Sequence, residues 1–228
     1  MKPRAKQLAL ALPVTFGWGG RRPGAGRKPT PGCRPGVPHR ARPAHDPQVP
    51  AHVTLRLAKG LPSLRGARVF ADVQDALGAS SGKRFRVLQF SVQSNHLHLM
   101  VEADGPTGLA RGFQGLGIRV AKGINRVLGR HGTVWSDRYH ARPLSTPREV
   151  RNALIYVLNN WRKHLRGARG YDPRSSAAWF DGWKTAVTRP EGRVPVATPR
   201  TWLARTGWRR HGKIDVREAP RPVCRSSR

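Results

Sequence analysis

Acidic residues are scarce in this sequence. Asp and Glu number 12 against 43 Lys and Arg, which leaves a formal charge of +31 at neutral pH. So large a positive field favours a polyanionic partner, because each neutralised phosphate releases condensed counterions. We therefore expect a nucleic acid partner, with a basic solubility tail or a ribosome-associated protein as the alternatives. Charge alone does not distinguish DNA from RNA.

Cysteine is almost absent, and long apolar runs are missing. The two cysteines, Cys33 and Cys224, lie near opposite ends of the chain, which argues against a disulfide framework or a paired zinc site. No apolar run approaches the ~20 residues that span a bilayer, so we expect no membrane partner. The short apolar run at 8–16 is followed by Gly-Gly-Arg-Arg and not by a small-residue cleavage site. We expect a cytoplasmic location.

Residues 17–50 are rich in Gly, Pro, Arg and Ala and poor in groups that could form a core. We predict a mostly disordered basic arm over 1–50, because such a composition cannot offset the entropy of ordering. The segment 21–29 resembles an AT-hook, in which arginines enter the narrow minor groove of DNA. A generic basic linker is an equally good interpretation. The candidate DNA contacts in this arm are Arg21, Arg22, Arg27 and Lys28.

The remaining sequence alternates between strand and helix patterns. Period-2 patterns predict strands over 52–57, 84–92, 96–102 and within 134–144, and helical spacing predicts helices over 64–78, 107–129 and 147 to about 164. The first six elements match the split β-α-β arrangement of an α+β, ferredoxin-like, four-stranded antiparallel sheet with helices on one face. We predict a catalytic domain over 51–168 and a basic, Trp-rich extension over 169–228.

Two histidines lie in the predicted strand over 96–102. His96 and His98 are two residues apart in a predicted strand, so both imidazoles point to the same face. Two such rings can bind one metal ion, while Leu97 and Leu99 face the core. An incidental surface pair or a phosphate contact is the alternative interpretation.

The last predicted helix begins with a capping box at Thr146-Pro147-Arg148-Glu149. Tyr156 and Asn160 share one face of this helix, since they are four residues apart. A phenol can attack a phosphodiester covalently, although its ordinary pKa of about 10 means that it needs activation at neutral pH. Asn160 offers a neutral oxygen to a hard cation. Alternatively, Tyr156 is an aromatic that packs against the sheet.

Three segments together carry a family resemblance. Residues 94–100 (Ser-Asn-His-Leu-His-Leu-Met), 134–140 (Val-Trp-Ser-Asp-Arg-Tyr-His) and 156–160 (Tyr-Val-Leu-Asn-Asn) occur in that order. This pattern resembles the single-tyrosine HUH transposases, and more closely their REP-associated tyrosine transposase branch. The resemblance covers about residues 50–165. The chain departs from it in the basic arm, in the extension, and at Asn159-Asn160-Trp161, where many relatives have Asn-Pro.

The resemblance implies a fold and a reaction. The fold would be the HUH endonuclease fold, and the protein would cut and rejoin single-stranded DNA beside imperfect hairpins. His96, His98 and Asn160 would bind Mg²⁺ or Mn²⁺, which would polarise the scissile phosphate. Tyr156 would become linked to the 5′ side of that phosphate and leave a free 3′-OH. Such proteins are nucleoid-associated in the bacterial cytoplasm, and relatives are known as homodimers and as monomers.

Further basic residues are candidate DNA contacts, although they could equally form a solvated face. They are Arg111, Arg119, Lys122, Arg126, Arg138 and His140. Tyr139 is a rival nucleophile, but it has no metal-compatible partner four residues on.

Three other functions compete with the transposase interpretation. The first is a non-catalytic single-stranded nucleic-acid-binding protein derived from such a transposase. A replication initiator or relaxase would usually carry a larger chain, two tyrosines and a third histidine. A two-histidine phosphoesterase, which would need two separated His-x-Thr/Ser motifs, is the third alternative.

Overall fold

The structure, a computed structural model, describes residues 44–163 and 170–220. The arm residues proposed as DNA contacts, Arg21, Arg22, Arg27 and Lys28, lie outside the described residues, as do both cysteines. The boundaries predicted for the three domains therefore stay predictions. Among the described residues, no helix is both long enough and apolar enough to cross a bilayer.

Four strands form one antiparallel sheet in the order β2-β3-β1-β4. This order confirms the predicted ferredoxin-like α+β architecture. The main elements are β1 (Ala51–Arg56), α1 (Ala67–Gly78), β2 (Phe85–Val92), β3 (His96–Ala103), α2 (Gly105–Val127), β4 (His140–Pro143) and α3 (Pro147–Asn159).

The first face of the sheet is covered by α1 and α2, as the sequence predicts. Leu97, Leu99 and Val101 of β3 alternate onto this face and are fully buried. They form one core with Val73 of α1 and Phe113 of α2. Because every second residue of β3 enters this core, the intervening His96 and His98 must face the opposite side.

The second face is covered by α3 and by the chain after Gly170. Leu88 and Met100 of the sheet pack with Leu154 of α3, Trp183 and Trp208 in a separate buried cluster. Short 3-10 helices at Ser176–Trp179 and Gly207–His211, and the helical turn Trp202–Arg205, belong to this region. Trp183 and Trp208 of the extension therefore complete the protein's own core, whereas Trp202 is exposed.

The start of α3 follows its sequence pattern, and its end does not. Thr146 Oγ1 accepts a hydrogen bond from the Glu149 amide, and Glu149 accepts one from the Thr146 amide, both at 3.2 Å. The α-helix ends at Asn159 and continues as a 3-10 helix over Asn160–Lys163, which is shorter than the prediction to about residue 164. Asn159 Nδ2, in the side chain, donates to the carbonyl oxygens of Asp215 and Glu218, so the helix end is held by chain distant in sequence.

One edge of the sheet is covered by other segments of this chain, and the other edge is a short strand. Along β2, the Phe90 amide donates to Ser176 Oγ and the Val92 amide donates to the Arg174 carbonyl, each at 2.8 Å. The Ala197 amide donates to the Val87 carbonyl on the same strand at 2.8 Å. The other edge strand, β4, has only four residues and ends at Pro143, which has no amide hydrogen to donate.

Candidate active site

His96 and His98 converge on the second face of the sheet. Their Nε2 atoms lie 2.9 Å apart, and their rings meet edge to face at 4.5 Å between centroids. His98 is buried, whereas His96 lies at the end of β3 and is partly exposed. The predicted two-histidine arrangement is therefore present in the structure.

Each of these imidazoles has an oxygen partner on its other ring nitrogen. His96 Nδ1 lies 2.7 Å from Asn95 Oδ1, and His98 Nδ1 lies 3.2 Å from Thr54 Oγ1 on the neighbouring strand. Because Asn95 Oδ1 can only accept, Nδ1 of His96 carries the proton and its Nε2 presents a lone pair. An oxygen behind each ring is the usual setting of metal-binding histidines.

Tyr156 reaches this pair from α3. Its ring lies 4.9 Å from the His98 ring and 5.4 Å from the His52 ring, edge to face in both cases. The side chain is half-buried, and burial raises the pKa of the phenol. Tyr156 is therefore protonated at neutral pH, and its use as a nucleophile requires a group that favours loss of the proton.

His52 of β1 is a third imidazole at the site. Its ring centroid lies 5.4 Å from that of His98 and 5.4 Å from that of Tyr156. The pKa of His52 is lowered to about 4, chiefly by burial, with electrostatic contributions from Arg142 and His140 in the same direction. His52 is therefore neutral at physiological pH, and its buried Nε2 has no hydrogen-bond partner among the described residues.

Asn160 follows Tyr156 by one turn. It has helical backbone angles (φ −60°, ψ −32°) at the end of α3, so the shift to a 3-10 helix begins without turning it away from the Tyr156 face. Its side chain is buried. Within 44–163 and 170–220, no three His, Cys, Asp or Glu side chains converge as a metal site. A cation at the histidine pair would therefore need neutral oxygen ligands, and an Asn amide is of that type.

The basic residues predicted to contact DNA lie on two sides of the sheet. Arg111, Arg119 and Lys122 are exposed on α2, on the side away from the histidines, and so is Arg126, which pairs with Asp72 of α1. His140 lies opposite Thr54 in the sheet and so shares the histidine face. Arg138 is exposed just before β4.

Tyr139, the rival nucleophile, is held on the first face of the sheet. Its ring stacks on Phe113 of α2 with 4.3 Å between centroids and 26° between planes. It also packs against the core under α1 and α2, whereas the histidines face α3. The structure therefore brings Tyr156, and not Tyr139, to the His96 and His98 rings.

Sequence reasoning missed His52, Thr54 and Arg142 as members of this site. His52 and Thr54 alternate with the core residues of β1, and Arg142 of β4 lies opposite His52 in the pairing of β1 with β4. The signal was present in the strand order, because β1 lies between β3 and β4 in a ferredoxin-like sheet. Assigning the alternating polar residues of β3, β1 and β4 to one face of the sheet would have identified these residues.

Comparisons with known proteins are sparse. No protein-family model matches the chain. No curated protein matches it either. Among solved structures, the chain is similar to a REP-associated tyrosine transposase bound to a REP hairpin, with a TM-score of 0.44 and 16% sequence identity. That similarity covers 55% of this chain and 73% of the other, and at this level it does not assign the chain to a family.

Proposed function

We propose that this protein is a metal-dependent, single-stranded DNA endonuclease and strand transferase with Tyr156 as its nucleophile. The observation that carries the proposal is the meeting of Tyr156 with the histidine pair. The phenol ring lies 4.9 Å from the His98 ring, and His98 Nε2 lies 2.9 Å from His96 Nε2. A nucleophile beside two paired imidazoles suits phosphodiester chemistry.

The residues present fit a divalent cation. His96 Nε2 and His98 Nε2 would hold it, with Asn160 as the proposed third ligand, and the oxygens of Asn95 and Thr54 would orient the two rings. Mg²⁺ or Mn²⁺ bound there supplies Lewis-acid polarisation of a phosphate oxygen.

The reaction that we propose conserves the energy of the cut bond. Tyr156 Oη attacks phosphorus and forms a phosphotyrosine ester, while the bond from phosphorus to the 3′ oxygen breaks. The phenol loses its proton, and the departing 3′ oxygen gains one, so a free 3′-OH remains. Attack by another 3′-OH on the phosphotyrosine reverses these steps and joins two strands, which makes the enzyme a transposase.

The partner follows from the charge and the chemistry. A net charge of +31 favours a polyphosphate, and we propose single-stranded DNA beside hairpins as the substrate. We also propose a bacterial, nucleoid-associated cytoplasmic location. A homodimer stays a prediction.

A covalent adduct tests the nucleophile. The protein is incubated with Mn²⁺ and hairpin-containing single-stranded DNA labelled at the 3′ end, and is then run on a denaturing gel. Because Tyr156 would hold the 5′ phosphate, the label should move with the protein. A 5′ label should instead appear in a shortened free strand.

The three tyrosines of the chain supply matched controls. Tyr156→Phe should abolish the adduct, whereas Tyr139→Phe and Tyr171→Phe should retain it. An adduct of Tyr156→Phe equal to that of the wild type would show that the nucleophile assignment is wrong.

A second candidate is a nucleic-acid-binding protein without catalysis. The observation that favours it is that no three His, Cys, Asp or Glu side chains of the described residues are arranged to hold a metal ion. In that case the wild type should bind the oligonucleotide and yield no adduct at any Mn²⁺ concentration.

A further inference from the structure

A cleft of about 490 Å³ leads from the candidate site to the protein surface. His52 and Tyr156 both line it. One wall is α3, another is formed by β4 and the turn after it, and the third is the segment that includes His211 and Glu218. The cleft is therefore the approach to Tyr156 that these three elements leave open.

The α3 wall carries a row of polar side chains. Arg148, Asn152 and Tyr156 are spaced by four residues, so they lie on one helical face over about 12 Å. Arg148 and Asn152 are exposed. Arg148 has no ion pair with any residue in the part of the chain that the structure describes.

The other walls add positive charge and are fixed in place. Arg142 of β4 faces the same cleft, and its side chain is 46% exposed. Arg151 of α3 forms an ion pair with Glu218 at 2.7 Å and donates to the carbonyl oxygens of Gly212 and Lys213. These bonds hold the third wall against the helix, so the cleft exists before any ligand binds.

We infer that this cleft binds the sugar-phosphate backbone of single-stranded DNA next to the attacked phosphate. Arg142 and Arg148 pair with phosphates, and Asn152 hydrogen-bonds to the strand between Arg148 and Tyr156. This inference rests on the proposed function, and it names the path of the strand. The strand lies along α3, and the basic residues of α2, on the other side of the sheet, contribute less.

Glu149 weakens binding in this cleft. Its carboxylate lines the cleft, pairs with Arg142 at 2.7 Å and accepts from the Thr146 amide. A phosphate must compete with Glu149 for Arg142. Glu149→Gln keeps the capping function, which Gln also performs, while it removes the competing charge.

Binding is measured by fluorescence anisotropy with a labelled single-stranded DNA oligonucleotide and the full-length Tyr156→Phe protein in EDTA, at several salt concentrations. The double variant Arg142→Gln/Arg148→Gln should lower the affinity at least tenfold and reduce the salt slope by about 1.4, since each phosphate contact on a single strand contributes about 0.7. Glu149→Gln should raise the affinity.

The control is a second double variant that removes two positive charges, as the cleft variant does. Arg68 and Arg84 are exposed cations outside the cleft, so Arg68→Gln/Arg84→Gln should leave the salt slope nearly unchanged. Equal losses in the two double variants would overturn the inference, as would a larger loss in Arg111→Gln/Arg119→Gln. Weaker binding by Glu149→Gln would also count against it.

The adduct assay separates this inference from the proposed function. If the wild type forms no adduct but the cleft variants lose binding selectively, the proposed chemistry fails and the strand path stands. If the adduct forms through Tyr156 and the cleft variants bind and react like the wild type, the strand path is wrong.

Discussion

The hydroxyl group of Thr54 allows His98 to take either of two tautomers. In the absence of a cation, Thr54 Oγ1 can donate to His98 Nδ1, and His98 Nε2–H can then donate to the Nε2 of His96. With a cation bound, both Nε2 atoms must present lone pairs, so His98 Nδ1 must donate to Thr54. Thr54 serves both states because a hydroxyl both donates and accepts.

Thr54→Val should therefore weaken Mn²⁺ binding about tenfold, because the proton on His98 Nδ1 loses its acceptor. Thr54→Ser keeps the hydroxyl and should bind Mn²⁺ like the wild type. Titration calorimetry or the Mn²⁺ spin-resonance signal measures the dissociation constant. If Thr54→Val and Thr54→Ser bind Mn²⁺ equally, the hydroxyl does not position His98.

Glu218 predicts a pH dependence of stability. The hydrogen bond from Arg151 lowers the pKa of this carboxyl against the opposing effect of burial. The stabilisation is therefore complete above the ordinary pKa of 4.5 and is lost as the pH falls through the lower pKa of the folded state. Glu218→Gln should lower the Tm at pH 7, and the difference from wild type should shrink between pH 4 and pH 3. A difference that stays constant over this range would contradict the ion pair.

At the scale of elements, the absence of a side chain at Gly112 allows α2 to lie close to the sheet. A Cβ at Gly112 would overlap the ring of Phe85 on β2, whereas a Cβ at Gly117 would lie 3.5 Å from the Trp135 indole nitrogen, an ordinary contact. The same substitution should therefore have opposite effects at two positions of one helix.

Gly112→Ala should destabilise the protein by about 1–3 kcal/mol, because the helix must move away from the sheet. Gly117→Ala should stabilise it by up to about 1 kcal/mol, because Ala has the higher helix propensity. Urea unfolding monitored by circular dichroism gives both values. A stabilising Gly112→Ala would mean that α2 does not contact Phe85 as described.

The elements of the sheet were predictable because their patterns are local. The alternation in β1, β2 and β3 and the capping box of α3 each lie within a few residues. The early end of α3 was not predictable, since it depends on bonds from Asn159 to chain more than 50 residues later. The candidate site was predicted in part. His96, His98 and Tyr156 carry motifs, whereas His52 is recognised only once β1 is placed beside β3.

At the scale of the whole molecule, the chain after Gly170 and α3 share one core. Leu88, Met100 and Leu154 are each about 1% exposed beneath this region. Burial of each such side chain contributes about 1.5–3 kcal/mol, and the net stability of a domain is only about 5–15 kcal/mol. The core between α3, the sheet and the chain after Gly170 therefore makes a large contribution to the stability of the protein.

A chain that ends at residue 169 should accordingly fail to unfold cooperatively and should bind a dye specific for exposed apolar surface. Thermal unfolding and dye fluorescence, each compared with the full chain, measure this. A truncated chain with a sharp transition near the Tm of the full chain would show that the extension is dispensable for folding.

The two sheet edges have a consequence for self-association. The strand β2 is already bonded along its outer side to the chain around Arg174, Ser176 and Ala197, and β4 is short and ends in Pro143. Another copy cannot add a strand at β2 without displacing that chain. We therefore expect a homodimer of this protein to meet through side chains of its helices or loops, because pairing at β2 would displace that chain and β4 offers only four residues ending in proline.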